Sequence, residues 1–390
     1  MKRIGEKSET QKEVPEAFPP ELLLQPLGAR LEYFEQRCFI AHPRLLQTLD
    51  ATIQAICPPG SGASVRRPGT MVLVIGPSRV GKTTFIRLLE ERLTAHAKAG
   101  MLVDSSCLPF ASILAAGSES SRFEWAEYYR AVLRGLHDPF VDGKVARIRT
   151  RELRQAMETA LIERKPLAII VDEAHHLARA ASGSQLQSQL DHLKHFENET
   201  GVSHILVGTY EMRPFRKVNA QLACRGVDIH FSRYDASDEE DATTFQSVLW
   251  ALQRQLPIEK EPDLLKHWEF LYARSIGCIG LLKMHLNRAL NLALTAEAKT
   301  VTLTHLRKTA LSETRVKLAL SNALESEAEL IEANGADERL LTLLGMRGRE
   351  SQEPTKPKTE EQTSIPSNKT RPGTRAPSRD RTGQEGEAAG

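Results

Sequence analysis

The residues in this chain whose types and spacing best fit a chemical task are Gly76-Pro77-Ser78-Arg79-Val80-Gly81-Lys82-Thr83, with Thr84 following. Glycines at the first and sixth places let the backbone turn tightly and aim its amide hydrogens at one point, and the start of a following helix adds favourable dipole charge. A lysine at the seventh place neutralises β and γ phosphates, and the Thr83 hydroxyl is a magnesium ligand. The ordinary alternative is a glycine turn before a helix. Against it, the eight positions lie between the apolar run Met71 to Ile75 and a helical pattern through Phe85, Ile86, Leu88 and Leu89. The expected cofactors are therefore ATP and Mg2+.

Leu167-Ala168-Ile169-Ile170-Val171 is a second apolar run, and it ends in Asp172-Glu173. Carboxylates at the end of a buried strand sit where ligands gather in open α/β sheets. Asp172 is expected to organise the Mg2+ shell and Glu173 to orient the attacking water, because phosphoryl transfer needs charge neutralisation and in-line placement. A carboxylate pair that caps the next helix is the alternative. The continuation Ala174-His175-His176 completes an Asp-Glu-Ala-His string that also occurs in one class of helicases, but no second ATPase lobe follows residue 235. His192 and His195 lack a third convergent ligand, so no metal centre is assigned to them.

Thr209 ends the strand pattern Leu206-Val207-Gly208 and is the candidate sensor of the γ-phosphate or water. A hydroxyl that satisfies the strand-end backbone explains it equally. Arg225 precedes the last strand pattern and is the candidate arginine finger of a neighbouring subunit, with Arg233 the alternative and an ordinary surface arginine the third reading.

The elements that must position these groups alternate. Strand patterns at Met71 to Ile75, Met101 to Asp104, Leu167 to Val171, His204 to Val207 and Val227 to Phe231 have helical patterns between most of them. The expected fold is α/β: a P-loop three-layer αβα domain with a parallel sheet, followed by a small all-helical lid. The boundaries read as a polar arm over 1–29, the nucleotide domain over 30–235, the lid over 236–318, a helical extension over 319–348 and a disordered tail over 349–390. A helix is expected from Arg30 to Ile56, and lid helices near 238–255, 262–274, 278–296 and 304–318.

With 390 residues and 41% apolar content the chain can bury a sizeable core. No apolar stretch approaches the roughly 20 residues of a membrane span. The polar N-terminus lacks the apolar core of a secretory signal, which places the protein in the cytoplasm. Five scattered cysteines read as buried thiols.

A formal charge of +2 leaves nucleic-acid binding to local clustering. Lys144, Arg147, Arg149, Arg151 and Arg154 crowd into eleven positions. Their candidate role is backbone contact with double-stranded DNA, salt-sensitive and sequence-tolerant; a solvated helix face is the alternative. Aromatic residues do not interleave with the cluster, so base stacking is not expected.

The order of a phosphate loop, paired carboxylates, strand-end threonine, arginine before the last strand and helical lid resembles AAA+ ATPases. Within them, the chain resembles TnsC/TniB transposition regulators over about residues 30 to 315, in Gln221 to Gly226 among other strings and most distinctively in Gly208-Thr209-Tyr210-Glu211 and Gly277-Cys278-Ile279-Gly280-Leu281-Leu282-Lys283. The resemblance implies a homo-oligomeric ring or helical filament on double-stranded DNA that connects a TniQ-type target selector to a transposase, with hydrolysis driving disassembly. It also implies a nucleotide contact for Lys283, where many relatives carry arginine. A replication initiator or helicase loader is the rival reading, and a monomeric ATP switch is the third.

Overall fold

Met71-Val72-Leu73-Val74-Ile75 contains three β-branched residues in five, and no charge interrupts it. It forms β1 (Met71–Ile75), a strand buried along its whole length. In the computed structural model the described residues are 15–58, 69–99, 107–115, 123–138, 148–179, 184–218 and 226–334.

The elements in order are α1 (Leu27–Glu32), α2 (Pro43–Ile56), β1, α3 (Lys82–Ala99), β2 (Phe110–Leu114), α4 (Trp125–Gly135), α5 (Thr150–Arg164), β3 (Ala168–Asp172), α6 (His175–Arg179), α7 (Ser184–Thr200), β4 (Ser203–Gly208), α8 (Arg213–Val218) and β5 (Val227–His230). Five further helices follow: α9 (Glu239–Arg254), α10 (Trp268–Ser275), α11 (Ile279–Thr295), α12 (Leu303–Thr309) and α13 (Glu313–Asn334). The strands form one parallel sheet in the order β2-β3-β4-β1-β5.

Because strand side chains alternate, each central strand feeds two cores. Met71, Leu73 and Ile75 pack with Tyr128, Leu153, Met157 and Leu193 from α4, α5 and α7. Val72 and Val74 pack on the opposite face with Leu45, Leu49, Phe85 and Leu89 from α2 and α3. A third core lies wholly among helices, with Phe245, Leu249, Leu271, Leu282, Leu286 and Leu306. This is the three-layer sheet domain and helical lid expected from the alternating pattern. Among the described residues, no helix is long and apolar enough to cross a membrane.

Three elements differ from expectation. The span 30–56 is not one helix. His42 is extended because Pro43 disfavours helical backbone before it, so α2 restarts at Pro43. Phe34 and Cys38, upstream of the break, join the helical core. The strand expected over 101–104 lies outside the described residues, and the strand beside β3 is Phe110–Leu114, whose burial alternates as an edge strand's does. Finally, extended backbone at Ala310 closes α12, and a single helix then runs from Glu313 to Asn334. Cys38 and Cys278 are buried, and burial pushes their thiols up to about 11 and about 12. Residues 335–348 of the expected helical extension, and 349–390 where the sequence reads a tail, lie outside the described residues.

Candidate active site

β1 and β4 are neighbours at the centre of the sheet, and the loop after β1 folds against both. The Gly76 amide donates to the Gly208 carbonyl at 3.3 Å, and the Ala174 amide donates to that of Val207 at 2.9 Å. One sheet edge therefore carries the loop 76–83, the carboxylates after β3 and the threonine after β4.

The loop's glycines are there for space. A Cβ on Gly76 would overlap the Phe231 carbonyl, and Gly81 has φ +127°, which side chains rarely allow. Arg79 is left-handed as well, at φ +64°. Gly76, Pro77 and Val80 are buried, Ser78, Arg79 and Thr83 are exposed, and Thr84 is half-buried in the first turn of α3. Lys82 is buried, and its Nζ donates to the Pro77 carbonyl at 2.9 Å and the Gly76 carbonyl at 3.3 Å. Burial pulls its pKa down, against the opposing pull of the Glu173 and Asp172 charges.

Asp172 ends β3 and accepts the Glu173 amide at 2.7 Å. Burial raises its carboxyl above the ordinary range, which the Glu173 amide and Lys82 only partly offset. A cation at this carboxylate would relieve that cost. Glu173 is left-handed at φ +52°, the kind of outlier that clusters at active sites. Its Oε2 lies 3.0 Å from Nδ1 of the buried His175. The sequence alone assigns His175 no role beyond the Asp-Glu-Ala-His string. Its contact with Glu173 was detectable only as the two-residue spacing.

The Thr209 Oγ1 is buried with no hydrogen-bond partner among the described residues. A buried hydroxyl without a partner is costly unless a ligand supplies one. Together with a lysine held only by its own loop and an under-compensated aspartate, this donor set fits a magnesium-bound polyphosphate.

The other sequence candidates are elsewhere. Lys283 Nζ binds the carbonyls of Glu35, at 2.9 Å, and Cys38, so it faces the N-terminal segment and is not brought together with Lys82. Arg225, Lys144 and Arg147 lie outside the described residues. Arg233 is buried and bound to Glu327, with Nε on Oε1 at 3.1 Å and Nη2 on Oε2 at 3.0 Å.

Arg149, Arg151 and Arg154 occupy the start of α5. Arg151 and Arg154 line a cleft of about 380 Å3, away from the phosphate loop, together with Trp125, Tyr129 and His192. Arg154 also stacks over Phe196 and pairs with Glu158 at 2.7 Å. Aromatic rings thus do stand beside the basic cluster. They come from α4 and α7, so local sequence could not show them. His192 itself bonds Tyr129 through Nε2 at 2.7 Å.

Residues 65–215 match the family model of the AAA domain. This is the AAA+ fold. The chain is similar to the ORC2 protein of Aeropyrum pernix in its ADP form, with a TM-score of 0.52 and 16% identity over 71% of each chain. It is also similar to CDC6P from Pyrobaculum aerophilum, with a TM-score of 0.44 and 14% identity over 75% of this chain and 71% of that one. Domain III of the Thermotoga maritima replication initiation protein DnaA matches at a TM-score of 0.42 and 14% identity, over 71% of this chain and 95% of that one. No curated protein matches the chain.

Proposed function

We propose that the chain is a Mg2+-dependent ATPase of DNA transposition. In this reading ATP-bound copies assemble on double-stranded DNA as a ring or helical filament, connect a TniQ-type target selector to a transposase, and disassemble on hydrolysis. The observation that carries the ATPase part is the meeting of Lys82, Asp172, Glu173 and the unpartnered Thr209 hydroxyl at one edge of the sheet.

The backbone amides from Ser78 to Thr83 would hold the phosphates. Lys82 exchanges its loop carbonyls for β and γ oxygens. Thr83 and Asp172 hold Mg2+, which when bound neutralises phosphate charge. Glu173 orients the attacking water and Thr209 fixes its far side. Arg225 of a neighbouring copy completes the site, which makes turnover depend on assembly. Arg149, Arg151 and Arg154, with Lys144 and Arg147, supply the DNA contacts.

The transposition part is supported by the sequence strings 208–211, 221–226 and 277–283. The likeness to the ORC2 protein is one of fold and is neutral between this reading and a replication initiator or loader. The deciding experiment is electron microscopy with a non-hydrolysable ATP analogue, with and without random-sequence duplex, beside Lys82→Ala. Rings or filaments that need both ligands and vanish in the variant are expected. Monomers under every condition would remove the shared site.

A further inference from the structure

The last helix carries a buried face that the function above does not use. Ala323, Ser326 and Leu330 are buried, and Glu327 lies among them, a spacing of three, four and seven residues along one stripe. Ala323 and Leu330 enter the core that β1, α5 and α7 share. Between them Glu327 takes both forks of Arg233 and also accepts the Tyr210 hydroxyl at 3.3 Å. Two residues on, Glu329 pairs with Arg213 at 3.1 Å. The surface made by Tyr210, Arg213, Arg233 and Tyr272 is thus an acceptor for an acidic helix, and the chain's own α13 fills it.

Two members of this surface, Tyr210 and Arg233, adjoin the nucleotide machinery. Tyr210 follows the unpartnered Thr209. Arg233 lies two residues after Phe231, whose carbonyl bounds Gly76 and whose ring lies beside Gly81. It is also one residue before Tyr234, whose carbonyl sits where a Cβ on Gly277 would go, at the entry to the lid. The lid helix that Cys278 opens touches the phosphate loop, since a Cβ on Gly280 would overlap the Arg79 carbonyl. While the clasp is closed Glu327 cancels the Arg233 charge that a nearby polyphosphate would otherwise draw on, and it ties the residues after β4 and β5 to α13.

We propose that α13 is a strap and that the Arg233–Glu327 pair is its clasp, so that filling the nucleotide site and opening the clasp are coupled. The proposal rests on the ATP reading above. A protein held mostly in the clasped state binds nucleotide more weakly by the fraction that is open, and loosening the clasp therefore tightens binding.

The test uses the full chain, a fluorescent ATP analogue with Mg2+ for affinity, and hydrogen exchange across residues 313–330 with and without a non-hydrolysable ATP analogue. In the wild type, the analogue is expected to speed exchange in that helix. Glu327→Gln is expected to bind nucleotide about fivefold or more tightly and to exchange faster without it. Leu330→Ala loosens the same helix without touching a charge, and the same direction is expected, which guards against Glu327→Gln failing to fold around an unpaired arginine. Nucleotide that binds wild type and both variants alike, with no change in helix exchange, would overturn the strap. Failure of wild type and variants alike to bind nucleotide would instead overturn the ATP reading and the strap with it.

Discussion

Lys82 in the phosphate loop and Lys283 at the start of a lid helix make nearly the same local contacts: each buries a stem and sets its ammonium on two backbone carbonyls. Burial lowers the pKa of both. They differ in where those carbonyls come from and which charges stand behind them. The Lys82 partners lie five and six residues back, in its own loop, and the two carboxylates at the end of β3 act on its charge. The partners of Lys283 are 245 and 248 residues away, and the charges it feels are Cys38, Glu35 and Arg87. The first arrangement can trade loop carbonyls for an anion without dismantling anything else. The second ties the lid to the N-terminal segment, and giving it up would open a core that contains Phe34, Leu282 and Leu286.

The largest effect that tests this contrast is on binding. Lys82→Ala should lower ATP affinity at least about 100-fold, or roughly 3 kcal/mol, since it removes charged hydrogen bonds to phosphate. Lys283→Met should leave affinity within about threefold. Titration with a fluorescent ATP analogue measures both. Equal losses in the two variants would erase the distinction and bring the lid lysine into the site.

The next effect is on stability. Gly277 has φ +76°, and a Cβ there would overlap the carbonyl oxygen of Tyr234. Gly277→Ala should cost about 3 kcal/mol, from backbone strain plus overpacking, read as a lower denaturant midpoint. Lys283→Met should cost less, about 1 to 2 kcal/mol, because it strips donors from two carbonyls and leaves the packing in place. If Lys283→Met proved the more damaging of the two, the lid would be held to the N-terminal segment more firmly than to the residues after β5.

Much of the site was legible because its chemistry is local in sequence. The loop 76–83 is contiguous, and Asp172-Glu173 follows its strand directly, so spacing alone placed both groups at one end of the sheet. The half-buried Phe110–Leu114 strand was missed because Ser112 breaks its apolar run, while 101–104 looked continuous. The features that sequence could not show depend on distant partners: Lys283 on Glu35, Arg154 on Phe196, and Arg233 on Glu327, 94 residues on. No local pattern marks an arginine as a finger or as one half of a buried pair, and tertiary contact alone separates these roles.

The third effect is a pH dependence at the junction of the two regions. His42 Nδ1 is 2.9 Å from the Tyr234 hydroxyl and 3.4 Å from the Leu45 amide, and its ring stacks with Phe231, so one imidazole touches the lid core, the start of α2 and the residue under the phosphate loop. Nδ1 can accept these bonds only when it is unprotonated. Burial, reinforced by Arg44, lowers the His42 pKa to about 4, and burial with Arg44 and Arg216 does the same for His230, whose Nε2 bonds Tyr210 at 2.9 Å. Folding therefore favours the neutral forms. Their contribution is fully present above the ordinary value of 6.5 and is lost as pH falls from there toward 4, because the unfolded chain binds protons that the folded chain refuses. The buried His42 can contribute up to about 3 kcal/mol by this linkage, and the solvent-exposed His230 contributes much less because water screens it. The melting temperature should fall between pH 7 and pH 5, and His42→Gln should melt with a shallower pH slope, even if it starts lower at pH 7. An unchanged slope in that variant would mean that the two regions are joined by packing and the two lysine-bearing segments, with no contribution from the imidazole's charge state.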